Sequence, residues 1–198
     1  MRKMETTIDL AELLNKNAID PIQYQYFKNL ENRTIIINDD ISSDIVEMAL
    51  LPLMEMDNDG TGKEITILLN TCGGEVYNGF SLIDYIEKLK TKTTIKVLGM
   101  AASMGALISM AGKNNPNVTT VCSPFSVFLV HSGSDCMAGN TNAIKDMFHF
   151  SEKYEEKISN YILTHTKISE EEYTKMTRYE WWMTAEEALD KGLIDEIV

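Results

Sequence analysis

Thr93-Thr94-Ile95-Lys96-Val97-Leu98-Gly99-Met100-Ala101-Ala102-Ser103-Met104-Gly105-Ala106 is the stretch from which the rest of the chain can be read. Its opening residues are β-branched or apolar and read as a strand, while Met104 to Ala111 reads as an apolar helix. Between them the chain turns through Gly99, Ala101, Ala102 and Ser103, with little side-chain bulk. A serine at such a turn exposes its Oγ and leaves room for a substrate carbonyl. It also stands at a helix N-terminus, where unpaired backbone N–H groups favour negative charge. A plain helix N-cap satisfies the same local pattern, and for Ser103 taken alone the cap is the simpler reading.

The same alternation extends to both sides. Thr34 to Asn38 reads as a strand. Ser42 to about Met56 reads as a helix with Ile45, Met48, Ala49 and Pro52 or Leu53 on one face, and Pro52 is a place for a kink. Glu64 to Asn70 is a second strand, ending in Thr71-Cys72-Gly73-Gly74, and a helix from about Tyr77 to Lys90 follows. Beyond the opening stretch, Val118 to Val121 and Ser126 to Val130 read as strands. A long charged helix runs from Asn140 to His165, with Ile144, Met147, Phe148, Tyr154, Ile158 and Ile162 as its apolar positions. Another starts near Ile168, and Thr184 with Glu187 forms a capping box for a last one. Alternating strands and helices predict βαβ units around a largely parallel sheet in one domain. Ligands gather beyond the carboxyl ends of such strands. Gly73-Gly74, Gly99 to Ser103 and His131 all follow strands, so they are expected to converge.

The 198 residues are 44% hydrophobic and 24% charged, a balance that suits one globular domain. No apolar run reaches the roughly 18 residues of a membrane span. The N-terminus carries Arg2 and Lys3 without a following apolar stretch, and Asp9 and Glu12 interrupt the Ile8, Leu10, Leu13, Leu14 pattern. No secretory signal is expected. Cys72, Cys122 and Cys136 have no paired spacing, which points to a reducing, cytoplasmic setting with neither disulfide nor zinc. A net charge of −12 argues against a nucleic-acid partner. Asp57-Asn58-Asp59-Gly60 lacks the glutamate that completes a calcium loop and reads as a turn. Nothing calls for a metal or a cofactor.

Four features could carry chemistry. Ser103 is the first. His131, at the end of a strand, could serve as its general base or be a half-buried structural histidine. His149 and His165 fall in the long helix and read as surface or packing residues. Gly73-Gly74 could bring a backbone N–H close to a substrate, or simply make a turn; no GxxxxGK[ST] phosphate loop is present. Glu180, in Thr177-Arg178-Tyr179-Glu180-Trp181-Trp182, could orient the histidine or be one more solvated carboxylate. Glu186 and Glu187 belong to the first turn of the last helix and are assigned no catalytic role.

Together these blocks resemble the Clp protease proteolytic subunit family, from about Arg33 to Val198. Leu69 to Gly74 is similar to that family's glycine-glycine turn, and Gly99 to Ala106 to its nucleophile motif. Val130-His131 resembles its histidine position. Thr184 to Ala188 and Gly192 to Asp195 resemble its C-terminal signature. The resemblance implies a crotonase-like α/β domain, built of repeated β-β-α and βαβ units with a long protruding handle helix. It implies a serine endopeptidase in which Ser103 attacks, His131 takes the proton, Glu180 is the acid, and Gly74 and Met104 offer oxyanion N–H groups. Gly73 and the segment from Ser132 and Gly133 to Gly139, Asn140 and Thr141 would bind an extended peptide, partly by strand addition. Stacked heptameric rings (a tetradecamer), polypeptide substrates and an AAA+ ATPase partner are implied in the same way.

The sequence departs from the family pattern in places. Glu180 stands where aspartate is usual, Cys72 where proline is, and Ser132-Gly133 where glutamine-proline is. Residues 1–32 form an N-terminal segment without the family's axial-loop pattern. With a displaced acid, Asp135 or a backbone carbonyl becomes an alternative orienter for His131. The alternatives are a non-catalytic homologue that co-assembles, a phage-type maturation peptidase on the same fold, and a crotonase-like acyl-CoA enzyme.

Overall fold

The computed structural model describes residues 9–16, 18–134 and 136–198. Asp135 and the N-terminal residues 1–8 lie outside them. The elements are, in order, α1 (Leu10–Asn15), α2 (Pro21–Glu31), β1 (Thr34–Ile37), α3 (Ser43–Asn58), β2 (Ile65–Thr71) and α4 (Val76–Ile86). They continue with β3 (Thr93–Ala102), α5 (Met104–Met110), β4 (Val118–Cys122), β5 (Val127–Val130) and α6 (Thr141–His165). The chain ends with α7 (Glu170–Met176), β6 (Trp181–Thr184), α8 (Ala185–Lys191) and β7 (Glu196–Ile197).

The strands form one sheet in the order β1-β2-β3-β4-β7, every neighbouring pair parallel, as the βαβ alternation predicts. β3 serves two neighbours in succession. Its residues Thr93 to Val97 pair with β4, and Met100 to Ala102 pair with β5. The division falls at Gly99, whose φ of 90° is open to glycine but costly for other residues. There the Asn70 side chain accepts the Met100 N–H at 3.1 Å, and the β2–β3 register shifts between Leu69 and Thr71. β5 then pairs antiparallel with β6, making a short extension beyond the main sheet.

Burial follows the alternation of the strands. In β2, Ile65, Ile67, Leu69 and Thr71 are buried on one face. Ile35, Ile37, Ile95 and Val97 join them beneath α3, α4 and α5. α5 is buried along its whole length, which explains its small and apolar composition. The buried face of α3 is Val46, Ala49, Leu53 and Met56, with Met48 turned outward, one position round from the face expected. The helix continues through Pro52. Truncating Leu53, which has no exposed surface, to alanine removes about 2–5 kcal/mol.

α6 is the long helix expected from Asn140 onward. Asn140 caps it, accepting the N–H groups of Asn142 and Ala143, and of its 25 residues only Ile162 is buried. Ile144, Met147 and Phe148 are exposed, so the first part of the helix protrudes. The second part is anchored by aromatic edges: Phe80 meets Tyr154 and Tyr161, and the Tyr161 hydroxyl donates to the Leu107 carbonyl at 3.3 Å. His165 stacks on Tyr161 and meets Glu87 at 2.9 Å, a packing role. At the other end of the chain α2 is fixed by an Asp20–Gln23 capping box with Pro21 at its first turn.

Candidate active site

Ser103 follows β3 and precedes α5, as expected, but it is no ordinary cap. Its φ and ψ are 54° and −118°, and its hydroxyl makes no capping hydrogen bond. A cap residue sits in the extended region with its oxygen on a backbone N–H. A non-glycine residue in the Ser103 conformation costs about 1–3 kcal/mol, and such strain persists only where the surroundings impose it. Here the surroundings are backbone. The Ser103 N–H donates to Leu129 O at 2.9 Å, extending the β3–β5 ladder. Its carbonyl accepts from Ala106 at 3.0 Å and Leu107 at 3.3 Å. The side chain is left free to project into a cavity of about 460 Å³.

His131 reaches the same cavity because β5 is parallel to the end of β3. Ala102 pairs with Leu129, so the chain after Ser103 runs beside the chain after Val130. The cavity is lined by Ser103, Met104, His131, Ser132 and Gly133 together with α6 and α7 side chains. Among the described residues, His131 Nε2 is buried with no hydrogen-bond partner. Buried polar atoms are paired in the great majority of cases, so the described residues leave this nitrogen open toward the cavity.

The two glycines are sterically required. Gly73 has φ 109°, and a Cβ there would lie 2.6 Å from Ser103 Cβ and 2.9 Å from Ala102 O. Gly74 has φ 144°, and its Cβ would lie 2.3 Å from Ile41 O. Gly74 is held in a parallel bridge to Ile41, in which Ile41 N–H donates to Gly73 O and Glu75 N–H donates to Ile41 O, both at 2.7 Å. These bonds leave the Gly74 N–H outside the bridge. Met104 opens α5, so its N–H precedes the first intrahelical bond. Gly74, Ser132 and Gly133 line a second, larger cavity of about 1180 Å³ that shares Val76 and Ile158 with the first. The two form one groove passing Ser103.

Glu180 stands differently from its expected role. The β5–β6 register pairs Val130 with Trp181, and carried one residue further it sets Glu180 opposite His131. The carboxylate itself accepts the Trp182 indole N–H at 3.2 Å, is exposed, and is absent from the cavity lining. Glu180 directly precedes β6 and stands two residues from Trp182, which makes that bond local. Gly139, Asn140 and Thr141 form the entry to α6, with Asn140 as its cap and Thr141 as its first residue. No described residue from Ser132 to Asn140 is in a strand. Cys72 is no rival nucleophile: its thiol donates to Asp40 at 2.8 Å, and that bond, with burial, pushes the thiol up.

The Clp protease family model matches residues 19–198, so the chain belongs to that family. Over 173 residues it is 28% identical to the ATP-dependent Clp protease proteolytic subunit of Deinococcus radiodurans, covering 87% of this chain and 83% of that one. The match takes in α2 as well as the peptidase-like blocks. No helix among the described residues is long and apolar enough to cross a membrane.

Proposed function

We propose that this chain is the serine endopeptidase subunit of a ring-shaped protease. The observation that carries the reading is the strained Ser103, whose hydroxyl caps no helix and lines the cavity where His131 Nε2 lacks a partner among the described residues. In the reaction, Ser103 Oγ bonds to the scissile carbonyl carbon as its proton passes to His131. The resulting oxyanion is met by the N–H groups of Gly74 and Met104. The C–N bond then breaks, and His131 returns the proton to the leaving amine. Water repeats the sequence to release the acyl group and restore Ser103. Glu180 is assigned the acid, reached by rotating its carboxylate from Trp182 toward the histidine opposite. Catalytic hydrogen bonds commonly tighten only on substrate binding.

Ring assembly, stacking of two heptamers through the exposed first part of α6, and feeding by an AAA+ ATPase belong to the same proposal. Family membership and the apolar exposure of Ile144, Met147 and Phe148 support them. A second reading, a subunit that assembles without cleaving, is favoured by the Glu180–Trp182 pairing. Peptide hydrolysis with light scattering separates the two. The proposal expects turnover in a large ring that Ser103→Ala abolishes without dissociating it. It also expects Glu180→Gln to lower kcat by roughly a hundredfold or more. A ring that cleaves nothing supports the second reading, and unchanged hydrolysis by Ser103→Ala removes the mechanism.

A further inference from the structure

Thr71 ends β2, two residues before the first glycine of the turn, and is only 4% exposed. A hydroxyl buried there needs partners, and it finds them in the turn itself. Its oxygen accepts the Gly73 N–H at 3.1 Å, and its O–H donates to the Gly73 carbonyl at 3.4 Å. That carbonyl also accepts from the Ile41 N–H at 2.7 Å. Gly73 is therefore held at both of its backbone polar groups.

The consequence passes one bond further. A trans peptide is planar, so the Gly73 C=O and the Gly74 N–H point in opposite directions. With the C=O turned to Ile41, the Gly74 N–H faces away from it. The peptide between two glycines has no side chain to restrain its rotation, and here φ is 109° before it and 144° after it. The direction of the Gly74 N–H thus depends on the bonds to Gly73, and Thr71 is the side chain that makes them.

The methyl of Thr71 reaches the nucleophile helix. A Cβ on Gly105 would lie 2.5 Å from Thr71 Cγ2 and 3.2 Å from Thr71 O, so the methyl rests in the space that Gly105 leaves, one residue beyond Met104. A Cβ on Gly73 would in turn lie 3.1 Å from Met104 N. One buried side chain therefore touches both the turn that carries the Gly74 N–H and the helix start that carries the Met104 N–H.

We infer, on the basis of the proposed peptidase reading, that Thr71 is a positioning residue that fixes the direction and spacing of the two oxyanion N–H groups. Its hydroxyl aims the Gly74 N–H, and its methyl seats the start of α5. Such donors act only when aimed at the charge that develops in the transition state. A turn that has lost its aim binds substrate as before but stabilises the transition state less, so the loss falls on kcat and spares KM.

The test uses the full chain with a peptidyl aminocoumarin, thermal melts, and fluorophosphonate labelling run to completion to count competent sites. Thr71→Val keeps the shape and removes the hydroxyl. It should lower kcat by about tenfold or more while KM stays within about twofold. Thr71→Ser keeps the hydroxyl and should hold kcat within about threefold, although the lost methyl lowers the melting temperature. Thr71→Ala and Thr71→Ser lack the same methyl and differ in the hydroxyl. Their kcat ratio, about tenfold or more in favour of serine, is read even where Thr71→Val does not fold. Active unmodified protein with equal kcat in the serine and alanine variants overturns the inference and leaves the peptidase reading standing. So does a loss in Thr71→Val that falls on KM. Folded, unmodified protein that neither labels nor cleaves removes both.

Discussion

Arg33 and Ser103 are the two non-glycine residues of the described chain with positive φ, 55° and 54°, and they hold it by opposite means. Arg33 ends α2 and leads into β1. Its guanidinium pairs with Asp59, its Nη2 donates to Met56 O at 2.9 Å, and its Nε donates to Glu64 O at 3.3 Å. The side chain offsets the strain of its own backbone. At Ser103 the backbone is held by Leu129, Ala106 and Leu107, and the side chain makes no capping bond among the described residues. The comparison teaches that positive φ does not by itself mark a site. Strain whose side chain is left unused, facing a cavity, does.

The sharpest way to break the comparison is to make both residues glycine. Ser103→Gly is expected to lower peptide hydrolysis by more than about 10⁴-fold. It should also raise the melting temperature, by releasing about 1 kcal/mol of backbone strain. Arg33→Gly should do the reverse, leaving hydrolysis in place while costing about 2 kcal/mol through three lost hydrogen bonds, one of them to a carboxylate. Thermal melts and a peptide assay on both variants decide it. If both gain stability, the Arg33 side chain contributes nothing and the contrast fails.

A second pair extends the contrast to glycines. Gly73→Ala meets Ser103 Cβ at 2.6 Å and should cost about 3 kcal/mol along with activity. Gly60→Ala, at φ 75° with nothing within 4 Å, should cost only the backbone penalty of about 1 kcal/mol. Equal losses in denaturant unfolding would mean that Ser103 has room to shift.

The smallest effect is a pH one. Hydrogen bonds from the Thr61 N–H and hydroxyl, each 2.8 Å from Asp59, and then Arg33 hold the Asp59 carboxyl below the usual range. With the folded value below the unfolded one, its contribution is complete above about pH 4 and is lost as pH falls through the folded value. Asp59→Asn should flatten that acid limb of a stability profile. An unchanged limb assigns the acid sensitivity elsewhere.

Much of the fold is legible in local sequence because periodicity and caps are local. α6 carries its own signals in Asn140 and a sustained helical pattern, and α8 in Thr184 and Glu187. β6 escaped the reading. Its four residues, Trp181 to Thr184, are a single short alternation, and Trp182, half exposed, is as apolar as its buried neighbours. α2 had a readable start in Asp20, Pro21 and Gln23, but none of its residues is buried, so no clear apolar face marked it. The division of β3 rests on the Asn70 side chain reaching Met100 from another strand, which no local pattern reveals. At the site, strand order alone led Ser103, His131 and Gly73 together. The Glu180–Trp182 bond, and with it the resting position of the carboxylate, was not legible: rotamer choice on an exposed strand depends on the neighbouring indole.

The strained backbone of Ser103 is proposed to hold a nucleophile. The most direct measurement is fluorophosphonate labelling of the full chain, with the modified residue located by mass spectrometry. A single adduct on Ser103 is expected, lost in Ser103→Ala and weakened when His131 is replaced by alanine. Folded protein that takes no label, or an adduct on another residue, would contradict a nucleophilic Ser103.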